Sequence, residues 1–323
     1  MKPKVFVSRN IPESGLSLLR EKVSLEVWQE EEPPTRHVLL EKAATCEGIV
    51  VVPGDPIDRE LLAAGKNLKI VSCYAVGYDT IDVNAAEELG IMVTNTPDVL
   101  TETTADLAFG LLIGAARRIG EGDRLIRSGQ WDRWGPRFML GLDVTGKTLG
   151  IIGLGRIGQA VGKRAKGFDM EILYSGRRRN EPAEEAIGAR YMEMEALLGL
   201  SDFVSLHCPL LPSTEGLIGE RQLRAMKPTS ILINTSRGKV VVEKDLVRAL
   251  EQGWIAGAAL DVFEKEPLPE GHPFLSMKNV LLCPHLGSAT VDTRSKMANI
   301  AAENLLTALD GKTPAFLVNR VPR

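Results

Sequence analysis

Along the first hundred residues, short runs of contiguous apolar residues alternate with longer stretches of helical spacing. Lys4-Val5-Phe6-Val7 is stopped by Ser8-Arg9-Asn10, and helical spacing follows from Gly15 to Glu21. Gly48-Ile49-Val50-Val51-Val52 is a β-branched run closed by the turn-forming Pro53-Gly54-Asp55-Pro56. A short helix then runs to Ala64, with Asp58 placed as its N-cap. Leu68-Lys69-Ile70-Val71-Ser72 and Ile91-Met92-Val93-Thr94 complete four predicted strands. Strands that lack a polar face and alternate with helices specify a parallel sheet covered on both sides.

Glu102 to Arg118 reads as one helix. Its Ala105, Leu107, Ala108, Leu111, Leu112 and Ala115 are too apolar for a one-sided surface helix, so it is expected to lie buried between domains. Residues 120 to 142 interrupt the pattern, with Trp131 and Trp134 among many Arg and Gly residues. Half of the chain's four tryptophans lie there, which favours an exposed arm that packs on a second subunit. A surface loop folded on its own chain is the alternative. A second strand-helix series starts at Lys147, with strands over 148–152, 171–174, 203–207, 230–234, 256–260 and 280–283 and a helix over 157–168. One more amphipathic helix spans 293–309. The pattern predicts an α/β chain of two doubly wound parallel-sheet domains.

Composition excludes several other classes. A chain of 323 residues with 44% hydrophobic and 25% charged residues can bury a sizeable core, so global disorder is excluded. The net charge of −3 leaves no basic surplus for nucleic acid. Cys46, Cys73, Cys208 and Cys283 are scattered without a C-x-x-C pair and read as buried reduced thiols of a cytoplasmic protein. No clustered His, Cys and Asp set suggests a metal. The N-terminus lacks a signal-peptide core, and no run of 18 apolar residues predicts a membrane span.

Gly153-Leu154-Gly155-Arg156-Ile157-Gly158 is a G-x-G-x-x-G motif entered by a predicted strand and left by a helix. Gly153 permits the tight turn, Gly155 lets the backbone approach a pyrophosphate, and Gly158 allows close packing of helix on strand. At the end of the next strand an NAD-binding domain places an acid for the ribose 2′-hydroxyl. Here Ile172-Leu173-Tyr174 runs instead into Ser175-Gly176-Arg177-Arg178-Arg179. Guanidinium groups suit a 2′-phosphate, so Ser175, Arg177 and Arg178 are the candidate contacts. NADP(H) is therefore expected as the preferred cofactor, with NAD(H) second. A solvated basic turn is the alternative reading.

Three polar segments follow predicted strands of the second series: Asn234-Thr235-Ser236-Arg237-Gly238, Asp261-Val262-Phe263-Glu264-Lys265-Glu266-Pro267 and Pro284-His285-Leu286-Gly287-Ser288. In an open α/β sheet, ligands bind outside the carboxyl ends of the strands. Reduction of a 2-oxo acid needs a hydride at carbon, a proton at oxygen and a cation for the developing charge. His285 can supply the proton near neutral pH, Glu266 can brace the ring and favour its charged form, and Arg237 can hold the carboxylate and polarise the carbonyl.

With these motifs in order, from about residue 4 to 320, the chain resembles the D-isomer-specific 2-hydroxyacid dehydrogenase family. His207-Cys208-Pro209-Leu210 and the continuation of the last segment into Ala289-Thr290 belong to the same match. The resemblance implies Arg237, Glu266 and His285 as the catalytic set, and a Rossmann-like dinucleotide-binding domain (100–289) inserted into a flavodoxin-like substrate domain (1–99 and 290–323). It implies that the amides of Val76 and Gly77 meet the substrate carboxylate. It further implies that Thr104, Arg156, Ile157, Cys208, Thr214, Thr235, Asp261 and Gly287 touch cofactor, and that the protein is a homodimer through the 120–142 arm. Within the family, Trp134-Gly135-Pro136 through Met139-Leu140-Gly141 and Tyr174-Ser175-Gly176-Arg177 resemble segments of glyoxylate/hydroxypyruvate reductases, some of which insert an arm tryptophan into the partner's active site. Trp134 is the candidate here. The expected reaction is NADPH-dependent reduction of glyoxylate or hydroxypyruvate to the D-2-hydroxy acid. Other D-2-hydroxyacid or phosphite dehydrogenases, or a dinucleotide-sensing corepressor, are the alternatives. An intact Arg237, Glu266 and His285 argues against the last.

Overall fold

The computed structural model describes residues 2–321. Strands and helices alternate from the start: β1 (Lys4–Val7), α1 (Glu13–Lys22), β2 (Ser24–Val27), α2 (Arg36–Thr45), β3 (Gly48–Val51), α3 (Arg59–Ala64), β4 (Ile70–Cys73), α4 (Val83–Glu88) and β5 (Met92–Thr94). Two helices follow, α5 (Thr101–Ala116) and α6 (Ile119–Arg127). The second series is β6 (Thr148–Ile152), α7 (Arg156–Lys166), β7 (Glu171–Ser175), α8 (Glu181–Ile187), β8 (Ala189–Tyr191), α9 (Met194–Leu200), β9 (Phe203–Leu206), α10 (Glu220–Ala225), β10 (Ile231–Asn234), α11 (Glu243–Glu251), β11 (Gly257–Leu260) and β12 (Val280–Leu282). Helix α12 (Val291–Leu309) closes the order. The chain forms two compact units, one of residues up to Leu100 with those from Ser288 onward, the other Thr101–Gly287.

The first unit is a parallel sheet in the order β2-β1-β3-β4-β5. Strands β3 and β4 are buried along their whole length, as their uninterrupted apolar runs require. Asp58 caps α3 by accepting the Leu61 amide at 3.0 Å. Helix α12 packs on α1 and on β3, β4 and β5. Edge strand β5 is not left bare: Leu317 bridges Thr94 antiparallel, and the Val318 amide donates to the Val93 carbonyl at 2.8 Å.

The second unit is a parallel sheet in the order β12-β11-β10-β9-β6-β7-β8, so the winding reverses between β6 and β9. One face packs Ile151, Phe203, Ile231 and Ile233 against α5 and α7. The other packs Leu206, Leu232 and Leu260 against residues of α9, α10 and α11 such as Leu197, Leu223 and Leu246. Helix α5 is buried, and its Ala105, Ala108, Phe109 and Leu112 belong to this unit's own core.

The structure adds two strands that the apolar pattern does not announce. β2 and β8 are edge strands, half exposed, and so carry mixed sequences. The 120–142 segment is also more ordered at its start than expected, because α6 occupies it to Arg127. Three of the four free cysteines are buried, while Cys283 is only half-buried. Among the described residues, no helix is long and apolar enough to cross a membrane.

Candidate active site

The strand β6 delivers its chain into the turn at Gly153, whose φ is +97°. A β-carbon there would come within 2.8–2.9 Å of the His207 carbonyl and the Cys208 amide, just past β9. The turn therefore lies against the strand pair where the sheet order reverses, the place where open α/β sheets bind ligands. Gly155 caps α7, and nothing lies within 4 Å of where its side chain would stand. A β-carbon on Gly158 would instead meet the Gly153 carbonyl oxygen at 2.3 Å. Open space at Gly155, close packing at Gly158 and the N-terminus of an eleven-residue helix beginning at Arg156 together suit an anion. At the same carboxyl edge, the Thr235 hydroxyl after β10 is buried with no hydrogen-bond partner among the described residues. These residues fit a dinucleotide.

The Ser175 carbonyl at the end of β7 accepts the Gly153 amide at 2.9 Å, which ties the next turn to the first. Ser175 is buried, and Arg177, Arg178 and Arg179 are exposed. The three arginines differ in what they touch. Arg179 makes a two-pronged pair with Glu184, both arms at 2.8 Å, and Tyr174 donates to the same carboxylate. Those hydrogen bonds hold the Glu184 carboxyl down at about 2. Among the described residues, no ion pair engages Arg177 or Arg178.

The remaining residues expected at the cofactor take varied positions. Thr104 on α5 is buried and donates to the Gly287 carbonyl at 2.9 Å. Cys208 is buried after β9, and burial pushes its thiol up to about 11. The Thr214 hydroxyl is used locally, donating to Pro209 O at 2.6 Å and accepting from the Leu211 amide at 2.8 Å, so it closes its own loop. Asp261, past β11, is fully buried. Burial pushes its carboxyl up, against the amides of Leu286 and Gly287, which donate to its two oxygens at 2.6 and 2.8 Å.

Arg237, Glu266 and His285 come from three loops at the carboxyl ends of β10, β11 and β12. Asn234 shapes the first loop: its Nδ2 donates to the Arg237 carbonyl at 2.9 Å, and its Oδ1 accepts from both the amide and hydroxyl of Ser236. Gly238 lets this loop touch the next, because a β-carbon there would sit 1.8 Å from the Phe263 carbonyl carbon. Glu266 closes the second loop by accepting the Phe263 amide at 3.0 Å through Oε1. Its other oxygen, Oε2, lies 2.6 Å from His285 Nδ1. Both side chains remain more than one-third exposed. Burial pushes the Glu266 carboxyl up, but the hydrogen bond and charge of His285, the Phe263 amide and the charge of Arg237 outweigh it and bring it below its ordinary value. His285 itself sits at φ +54°, a left-handed backbone uncommon outside glycine.

In the first unit, Val76 and Gly77 lie in the loop after β4 and are half-buried. Trp134 in the second unit is 78% exposed, with Trp131, Phe138 and Leu140 also exposed along the same segment.

Two structural supports escape the sequence reading. Gly238 sits inside a quoted motif, but only the close approach to Phe263 explains it. Glu243 and Glu264 exchange hydrogen bonds, each accepting the other's amide at 3.0 and 2.7 Å, which ties the loop of Glu266 to the start of α11. An acid in the first turn of a helix carries no sequence mark of such a partner.

Residues 109–287 match the family model for the D-isomer specific 2-hydroxyacid dehydrogenase, NAD binding domain. The chain is similar to a glyoxylate reductase of Korarchaeum cryptofilum, 55% identical over 99% of this chain and 97% of that one. Its fold matches the TT0316 protein from Thermus thermophilus, at TM-score 0.92 and 44% identity over 98% of this chain and 99% of that one. It also matches an NADPH-dependent glyoxylate/hydroxypyruvate reductase from Sinorhizobium meliloti in complex with NADP and malonate, at TM-score 0.86 and 35% identity over 98% and 97% of the two chains.

Proposed function

The chain belongs to the D-isomer-specific 2-hydroxyacid dehydrogenase family, whose members are NAD(P)-dependent oxidoreductases, and from that premise we propose that it reduces glyoxylate or hydroxypyruvate with NADPH. The observation that carries the reading is the 2.6 Å hydrogen bond between Glu266 and His285. A carboxylate on one ring nitrogen fixes the tautomer and orientation of the ring and leaves the other nitrogen for the substrate. His285 then donates its proton to the substrate oxygen as that oxygen gains charge.

A dinucleotide, when bound, would supply the hydride. Gly153, Gly155 and Gly158 would hold its pyrophosphate against the start of α7, and Thr235 offers a buried hydroxyl that lacks a partner among the described residues. Arg177 and Arg178, which no ion pair occupies among the described residues, are assigned to the 2′-phosphate, with Ser175 beside them. Arg237 is assigned to the substrate oxygens, where its positive charge offsets the developing negative charge. In the first unit, the amides of Val76 and Gly77 are assigned to the substrate carboxylate. The exposed aromatic arm around Trp134 is assigned to a second copy of the chain.

Glyoxylate, hydroxypyruvate, pyruvate and phosphite, each offered with both reduced or both oxidised cofactors as the direction requires, test the reading through nicotinamide absorbance. Turnover of the first two with NADPH is expected. His285→Ala is expected to abolish turnover while NADPH still binds. Wild-type protein that binds NADPH tightly yet turns over none of these compounds would overturn the catalytic assignment.

A further inference from the structure

The loop after β4 carries an arrangement that points beyond the residues assigned so far. Each peptide unit is planar and trans, so its carbonyl and its amide point in opposite directions. Pinning a carbonyl therefore aims the next residue's amide. In this loop the Ala75 carbonyl accepts the Thr96 amide at 2.8 Å. The Val76 carbonyl accepts Asn95 Nδ2 at 2.9 Å. The Gly77 carbonyl accepts the Cys73 thiol at 3.5 Å. Three consecutive carbonyls are thus held by the protein. The two amides between them, those of Val76 and Gly77, donate to no protein acceptor among the described residues. Adjacent free amides aimed by fixed peptide planes form a site for an anion.

Asn95 is the one side-chain amide in this set, and it is itself held from two sides. Its own amide donates to the Phe316 carbonyl at 3.3 Å, and its carbonyl accepts Asn304 Nδ2 at 3.2 Å. Asn304 lies buried on α12. The chain of contacts runs from α12 through Asn95 to the Val76–Gly77 peptide.

We propose that Asn95 is a positioning residue for substrate binding: by holding the Val76 carbonyl, it aims the Gly77 amide at the carboxylate of the 2-oxo acid. This rests on the assignment of Val76 and Gly77 to that carboxylate. Without Asn95 the Val76–Gly77 peptide is free to rotate, and the anion loses one directed donor. Asn95 does not touch the reacting atoms, so the effect falls on affinity for the carboxylate and not on proton or hydride transfer.

Two measurements on the full-length protein test it. In the first, protein labelled with [15N]glycine is titrated with oxamate, an unreactive analogue, in the presence of cofactor; the Gly77 resonance is assigned by its loss in Gly77→Ala. In the second, kcat and KM are compared for glyoxylate and for its uncharged methyl ester. Wild type is expected to show a Gly77 shift on adding oxamate. Asn95→Leu is expected to lose most of that shift, to raise KM for glyoxylate about tenfold with kcat and cofactor affinity nearly unchanged, and to leave the ester unaffected. Asn95→Gln, which restores a donor, is expected to recover part of the loss. If the wild-type Gly77 resonance does not move, the assignment of the carboxylate to this loop fails, and with it the role of Asn95. If it moves equally in wild type and Asn95→Leu, or if acid and ester lose activity together, only the role of Asn95 fails. Asn95→Ser, which shortens the reach without adding an apolar group, gives the same readouts if the leucine variant does not fold.

Discussion

His285 is held to Asp261 through its backbone: its amide donates to the Asp261 carbonyl at 3.0 Å, and the next two amides close on the Asp261 carboxylate. This clamp accompanies the left-handed backbone at His285 and sets the ring where Glu266 can reach it. Asp261→Asn keeps the shape but supplies only one accepting oxygen. One of the amides of Leu286 and Gly287 then faces a donor, an unsatisfied buried group costing about 1–3 kcal/mol. The variant is expected to melt several degrees lower and to lose activity more than that loss of stability explains. Unchanged melting and unchanged kcat would show that the clamp bears no load.

Glu266 offers a test through pH. Its carboxyl is lowered in the folded protein, because the hydrogen bond and charge of His285 overcome the opposing effect of burial. A lowered acid contributes stability that is present above its ordinary value, near 4.5, and is lost as pH falls through the lower native value. Glu266→Gln has no such proton to take up. Wild type is therefore expected to exceed Glu266→Gln in melting temperature near neutral pH, with the gap narrowing as the solution is acidified below the ordinary value. A gap that widens on acidification would contradict the sign of the shift. At neutral pH the variant is also expected to lose about one to two orders of magnitude in kcat, the scale of one general acid–base contribution.

Two glycines of one motif should fail in opposite ways. Gly155 faces open space, so Gly155→Ala is expected to leave the melting temperature of the cofactor-free protein unchanged and to weaken dinucleotide binding. Gly158 has the Gly153 carbonyl oxygen 2.3 Å from its missing β-carbon, so Gly158→Ala must push α7 away from the turn. Overpacking of this kind costs about 1–3 kcal/mol, and a lower melting temperature without cofactor is expected. Thermal melts with and without NADPH separate the two effects. The same melting loss in both variants would mean that Gly155 is packed and not open.

The aromatic arm is tested by assembly. Trp134 and Leu140 are 78% and 66% exposed, a poor use of large apolar side chains in a chain that stays alone. Trp134→Ser with Leu140→Ser is expected to shift sedimentation of a dimer toward monomer while the melting temperature, measured at high dilution, stays close to that of wild type. A wild-type protein that sediments as a monomer would remove the assignment.

Much of this architecture is legible in the sequence, and the reasons are physical. Central strands such as β3, β4, β9 and β10 are buried on both faces, so their apolar runs are unbroken, and their ends fall within two residues of the expected positions. β2 and β8 pair on one side only and stay half exposed, which dilutes the same signal. Helix α5 reads as buried, but periodicity says nothing of what buries it, and it joins the core of its own unit. The motif residues Arg237, Glu266 and His285 stand out because polar groups directly after apolar strands are conspicuous. Their supports do not. The Asn95 contact with Val76 joins residues that are nineteen positions apart in ordinary-looking loops, and the Glu243–Glu264 exchange spans twenty-one. Such pairs are set by tertiary register, which no local window contains.

Cofactor choice turns on three neighbouring arginines that the sequence presents as equivalent and the structure does not. Arg179 is spent on Glu184, in a pair that Tyr174 shares, and so holds the turn after β7 onto α8. Arg177 and Arg178 are exposed and have no ion pair among the described residues. Arg177→Ala with Arg178→Ala is expected to raise the Kd for NADPH by about tenfold to a hundredfold, the effect of losing charged hydrogen bonds worth about 1.5–3 kcal/mol, while the Kd for NADH changes little. Arg179→Ala is expected to behave otherwise: it frees Glu184, weakens both cofactors alike and lowers the melting temperature slightly. Fluorescence titration of each variant with both cofactors decides the matter. A double variant that loses NADPH and NADH equally would leave the turn as a solvated basic surface. A loss confined to Arg179→Ala would move the 2′-phosphate to the one guanidinium that already has a partner, against the electrostatics of that pair.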